Sequence, residues 1–179
     1  MLTREQIEFF TAFGYIILKN PFPTVEVDRI IAAFDEVMEN HKCVNCEESS
    51  FSEDLRHSVV GFVESHPDLV NLLVDDRIYG PLSQLLDPGF IWVASDGNLY
   101  AGDTPWHTDK RTSTGYKQIK VSMYLDPVTA DSGCLRVIPG SHGQPYNDVL
   151  RHKLLNGGGE SLYDKPSESF GMSGQEIPC

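Results

Sequence analysis

A chain of 179 residues with 40% hydrophobic content is long enough for one domain with a real core. Its 26 acidic residues against 14 Lys and Arg leave a net charge of -12, which argues against a nucleic-acid backbone or an anionic membrane surface as partner. No run of about 20 apolar residues occurs, and the first residues lack a charged region followed by an apolar core; the expectation is no membrane span, no signal peptide and a cytoplasmic protein.

Thr3 and Gln6 form a capping box ahead of Ile7, Phe9, Phe10 and Phe13, which predicts a helix over Arg4–Phe13. Gly14 stops it, and residues 15–18 read as a short strand. After a loop at 20–23, Thr24 is the expected cap of a second helix. Val27, Ile30, Ile31, Phe34, Val37 and Met38 recur at helical spacing and predict one buried stripe. Such a stripe is core, not a cofactor box. Residues 40–56 carry Glu47, Glu48, Glu53 and Asp54 and read as a surface loop. Residues 59–63 suit strand or loop. Two further helical stretches follow at 67–74 and 77–86, with leucines at core spacing, before Pro88 and Gly89.

The β half begins at Phe90. Residues 90–94 read as a strand and 98–100 as another, with His107 and Asp109 at a strand end. Ile119, Val121, Met123 and Leu125 alternate with Lys120, Ser122 and Tyr124, the pattern of a half-buried strand. Residues 129–133 form a turn, and 134–138 a strand broken by Pro139 and Gly140. A short helix over 148–155 precedes a loop rich in Gly, Ser and Glu at 156–175. Helices first and strands later predict an α+β class. We expect one domain over 1–179, helical at 1–89 and β at 90–179.

Four cysteines do not make a disulfide framework at this length. Cys43 and Cys46, with His41 nearby, lack the second ligand pair of a structural zinc site, so two thiols in a polar loop is the simpler reading. Cys134, in an apolar strand, reads as a small core residue.

His107 and Asp109 are two positions apart. On an extended backbone alternate side chains share a face, so both can reach one metal ion. An imidazole and a carboxylate suit a divalent first-row metal, and a second histidine completes the set that leaves open positions on Fe(II). The pair alone is a weak signal, because His66-Pro67-Asp68 has the same spacing. There Pro67 sits where a first helical turn begins and Asp68 lies beside the helix dipole. Context separates the two: Gly102, Pro105 and Trp106 precede His107, and a clean strand follows.

Three stretches together resemble the phytanoyl-CoA dioxygenase family of Fe(II)/2-oxoglutarate-dependent oxygenases. They are Trp106-His107-Thr108-Asp109, the run 119–126, and the Ser-Gly-Cys-Leu-Arg-Val-Ile-Pro-Gly-Ser-His motif at 132–142. The resemblance implies a double-stranded β-helix, a jelly roll, braced by N-terminal helices. It implies Fe(II) held by His107 and Asp109, 2-oxoglutarate as cosubstrate, molecular oxygen, and a small-molecule substrate that is hydroxylated or otherwise oxidised. The carboxylate of Asp109 matters, because related halogenases have a small residue there. Thr104 and Ser122 match positions that touch the cosubstrate; for Ser122 the family often has a larger residue. Trp106 reads as an aromatic core residue, and Arg136 as a surface ion-pair partner more than an anion site.

The family's distal histidine, and the arginine that clamps the cosubstrate carboxylate, have no counterpart after Arg151 and His152. His142 lies in a turn element and is not expected to replace that ligand. The expectation is a sequence that lacks the C-terminal strands of the fold. Two alternatives stay open: a non-catalytic jelly-roll segment used for binding, and a cupin-like metal enzyme with His142 or His152 as ligand.

Overall fold

The computed structural model describes residues 1–41, 56–86, 89–100, 107, 116–129, 131–144, 147–148 and 175–177. The chain divides into two compact units. Met1–Leu2 and Asn20–Gly102 form the first; Thr3–Lys19 and Asp103–Cys179 form the second.

Helix α2 (Thr24–Asn40) carries the first unit's core. Its N-cap is Pro23, already extended at ψ 152°, and no side chain caps it. Thr24 is therefore the first helical residue and not the expected cap: the proline's fixed φ places the helix start one residue earlier. Ile30, Ala33, Val37 and Met38 are the buried face. Ala33, absent from the expected stripe, is among its most buried members. Phe34 meets Phe62 with ring centroids 4.9 Å apart.

Strand β1 (Arg56–Val60) pairs antiparallel with β2 (Asp96–Tyr100), placing Val59 opposite Gly97. Of residues 59–63, open between strand and loop by periodicity, Val59 and Val60 are thus strand and the rest are not, while Arg56, expected at the end of a surface loop, begins the strand. Residues 90–94, expected as a strand, join no ladder among the described residues. The reason is local. Gly61, at φ +67°, donates a last hydrogen bond to the Ser95 carbonyl at 2.9 Å. The chain then turns into a 3-10 turn at Val63–Ser65, and the partner strand is gone.

Helix α3 (Pro67–Val70) continues as a 3-10 turn at Asn71–Val74. Helix α4 (Asp76–Leu85) follows, N-capped by Asp75, whose carboxylate accepts from the Arg77 amide at 2.9 Å. The Arg77 guanidinium also reaches Asp75 and Glu26, each at 2.6 Å, and lies 4.1 Å over the Phe22 ring. One side chain thus ties the start of α4 to the first turn of α2. Hydrogen bonding to Arg77 holds Asp75 down at about 2 and lowers Glu26 as well, and raises Arg77 itself.

In the second unit, helix α1 (Arg4–Phe13) has the expected capping box. Thr3 N–H donates to Gln6 Oε1 at 2.8 Å, and the Gln6 amide donates to Thr3 Oγ1 at 3.3 Å. Gly14, left-handed at φ 83°, closes the helix by donating to the Phe10 carbonyl at 2.8 Å. No residue of α1 is fully buried. Phe9 packs on Phe13 and Tyr15, with centroids 4.7 and 5.4 Å away.

The turn at 129–133 closes through Thr129, whose carbonyl accepts from the Ser132 and Cys134 amides at 3.0 and 3.2 Å. Cys134 is buried, as expected. Strand β3 (Leu135–Val137) pairs antiparallel with β4 (Gln175–Ile177). Residues 15–18 and 119–125, expected as strands, are not in any ladder among the described residues. Alternating hydrophobicity marks which face a strand would bury, but a ladder also needs a partner backbone, and none of the described strands supplies it. The predicted helix at 148–155 lies outside the described residues apart from Asp148. The class is α+β, with two antiparallel pairs as the described β structure.

Candidate functional site

β2 carries the chain toward the histidine motif. Its N-terminal approach is fixed by Glu64. That carboxylate accepts from Trp92 Nε1 at 2.8 Å and from the Ser95 hydroxyl, and Ser95 Oγ accepts from the Val63 amide at 2.9 Å. These two donors lower the Glu64 pKa and keep it ionised. Gly97 lies against the Phe62 ring: a Cβ there would be 2.5 Å from Cε2. Seven residues after Tyr100 stands His107, with an exposed side chain.

Asp109, Thr104 and Trp106 lie outside the described residues. Ser122 is described and exposed, within the run 119–125. Arg136 is exposed on β3, and the ladder register sets residue 176 opposite it. Cys43, Cys46 and His152 also lie outside the described residues.

His66 and Asp68 resolve into a helix start. The Asp68 amide donates to His66 Nδ1 at 3.1 Å, and Pro67 is the first residue of α3. His66 Nε2 is 3.7 Å from the Glu36 carboxylate. The histidine is an N-cap, and its acceptor nitrogen is occupied.

His142 has a structural post that sequence reasoning missed. Its Nε2 donates to the Thr11 carbonyl at 3.3 Å, and the Gly140 amide donates to the Phe13 carbonyl at 2.9 Å. The Pro-Gly-Ser-His turn thereby satisfies carbonyls at the C-terminal end of α1 that the helix leaves open. No local signal announces this contact, because its partners lie 131 residues apart. His57 was also missed: its Nε2 is buried, with no hydrogen-bond partner among the described residues. Glu5, Gln6, Phe9, Tyr15, Ile16 and Ile17 line an open, largely apolar groove beside α1.

Among the described residues no three His, Cys, Asp or Glu side chains are grouped to hold a metal ion. The motif itself brings one imidazole and one carboxylate two positions on. This donor chemistry fits Fe(II) better than a thiolate-seeking metal.

The family model described as phytanoyl-CoA dioxygenase matches residues 10–167. An ectoine dioxygenase of Bordetella bronchiseptica is 24% identical over 156 residues, covering 80% of this chain and 50% of that protein. A phytanoyl-CoA dioxygenase of Arabidopsis thaliana is 21% identical over 214 residues, covering 94% of this chain and 74% of that protein. The chain thus spans half the length of the first relative. No solved structure matches it. No described helix is long and apolar enough to cross a membrane.

Proposed function

Because the chain belongs to the phytanoyl-CoA dioxygenase family, we propose that it serves as an Fe(II)/2-oxoglutarate-dependent dioxygenase. It would oxidise a small molecule with O2 while 2-oxoglutarate is decarboxylated to succinate. The observation that carries this reading is the family match over 10–167, which contains both the His107–Asp109 motif and the 132–142 motif.

His107 and Asp109 are the proposed ligands. The imidazole must be neutral and the carboxylate ionised to bind, so metal affinity falls in acid. Thr104 offers a hydroxyl to the cosubstrate carboxylate, and Ser122 a second contact. Bound Fe(II) with 2-oxoglutarate supplies the oxidising power; the protein's part is to hold the pair away from water and aim it at one substrate position. The proposed framework is a jelly roll.

One observation favours a second reading. The motif supplies two ligands where the facial arrangement takes three, and His142 is engaged at the end of α1. A non-catalytic segment of this fold, used for binding, has that donor count. Engagement of His142 also argues against a cupin-like site built on it.

Anaerobic titration of 2-oxoglutarate into the Fe(II)-loaded protein tests the first reading. A charge-transfer band near about 500 nm is expected. Succinate formation, coupled to a metabolite panel, should follow on adding O2. If the folded, iron-loaded chain gives neither band nor succinate, the second reading stands and the first is lost.

A further inference from the structure

After α1 the chain reverses. Gly14 closes the helix, and Tyr15 comes back against Phe9 with ring centroids 5.4 Å apart. Tyr15, Ile16 and Ile17 then line one open groove together with Glu5, Gln6 and Phe9 of α1. Every lining residue belongs to the second unit. The groove holds about 400 Å³, the size of a small-molecule site.

Two rings and one carboxylate give this groove its chemistry. Phe9 and Tyr15 stand at 81° to one another, so they offer two walls and not one stacked slab. Glu5 lies four residues before Phe9 on α1, and side chains at that spacing share a helix face. Its own amide and the Thr3 hydroxyl hold its carboxyl below the usual range, so it is charged at neutral pH. That full negative charge outweighs the about half positive charge of a helix start. Arg4, the only basic residue of α1, is engaged with another partner: its Nε donates to Glu8 at 2.7 Å.

A cation suits such a groove, and the acceptors on offer decide which kind. A primary ammonium brings three N–H groups to satisfy. Gln6 Oε1 already accepts from the Thr3 amide at 2.8 Å, which leaves Glu5 and the Tyr15 hydroxyl among the lining side chains. A quaternary ammonium has no N–H, and its methyl groups pack on aromatic rings and on isoleucine alike.

We propose that this groove binds a small quaternary-ammonium compound, with its methyl groups on Phe9 and Tyr15 and its charge beside Glu5. The binding needs no metal and does not rest on the oxygenase reading.

Two probes test it, titrated into the full chain and followed by NMR. One is choline. The other is its uncharged carbon analogue, in which a tert-butyl group replaces trimethylammonium. Choline should bind with a dissociation constant of about 1 mM or below, and the carbon analogue about fivefold or more weaker. Glu5→Gln, Phe9→Leu and Tyr15→Leu should each weaken choline by about threefold or more. Tyr116→Leu, at a residue 78% exposed and outside the lining, should leave it unchanged. In the unaltered protein, nuclear Overhauser contacts should join the N-methyl protons to the ring protons of Phe9 and Tyr15. Phe9 also packs on Phe13, so a ring variant that unfolds, seen by circular dichroism, leaves the decision to Glu5→Gln and to these ring contacts. Equal affinity for choline and its carbon analogue overturns the proposal, as does no binding of choline at about 20 mM. A choline site indifferent to Glu5→Gln, or without the ring contacts, lies elsewhere and overturns it too.

Discussion

The imidazole of His142 lies on the backbone of Gly14, so that a Cβ at residue 14 would sit 2.6 Å from the His142 Cγ. Gly14 is needed there twice over: for the left-handed turn at φ 83° that ends α1, and for the space the ring occupies. A motif late in the chain thus seats the end of the first helix.

Gly14→Ala should therefore cost more than the about 1 kcal/mol of a left-handed alanine alone. Overlap with the ring adds about 1–3 kcal/mol. His142→Ala removes the obstacle, so the double variant should be more stable than the sum of the two single losses predicts. Urea unfolding of the four proteins measures this. Strict additivity would show that ring and glycine are not in contact in solution.

Gly97→Ala tests the equivalent packing in the first unit, where the Phe62 ring fills the space beside the glycine. Overpacking of about 1–3 kcal/mol is expected, read as a lower melting temperature. Phe62→Ala on its own opens a cavity at the Phe34 contact and should also destabilise. Together the two should interact favourably, since the added methyl enters the space the ring left.

Which of these features can be read in the sequence depends on how far apart their causes lie. The α1 boundaries are readable because Thr3, Gln6 and Gly14 act within one helix. The His66-Pro67-Asp68 decoy is readable for the same reason. Gly97 is silent in the sequence: its need is set by Phe62, which only the β1–β2 register brings to it. Residues 90–94 have strand chemistry, yet whether they pair is decided by where Gly61 turns the other strand away. The proposed site divides similarly. His107 and Asp109 are legible as donor types at a useful spacing, whereas a third ligand is a matter of long-range folding that spacing does not encode.

The Arg77 tie gives a pH dependence with a definite sign. Asp75 titrates at 3.8 when unperturbed and at about 2 in the fold. A depressed carboxylate favours folding above its unfolded value, and that contribution fades as pH falls through 3.8 toward 2. Stability of the first unit should be level above about pH 5 and drop below about pH 4. Asp75→Ala loses the N-cap and one partner of Arg77, for about 1–2 kcal/mol at neutral pH. Its acid profile should be flatter than the wild type's. Equal acid slopes in the two proteins, followed by fluorescence, would contradict this account.

The motif at 107–109 makes the sharpest demand of the proposed chemistry. His107→Ala and Asp109→Ala each remove one of the two donors, so each should abolish the charge-transfer band and lower Fe(II) affinity by more than about tenfold. Thr104→Ala and Ser122→Ala should leave iron binding nearly unchanged and weaken 2-oxoglutarate instead, because a lost neutral hydrogen bond is worth about 0.5–1.5 kcal/mol. The two classes separate in one experiment: iron affinity by isothermal titration without cosubstrate, then cosubstrate affinity on the loaded protein. His142→Ala serves as the control. With its ring donating to the Thr11 carbonyl, it should lower thermal stability and leave iron affinity where it was. If His142→Ala lost the metal while His107→Ala kept it, the ligand assignment would be reversed and the oxygenase reading would fall with it.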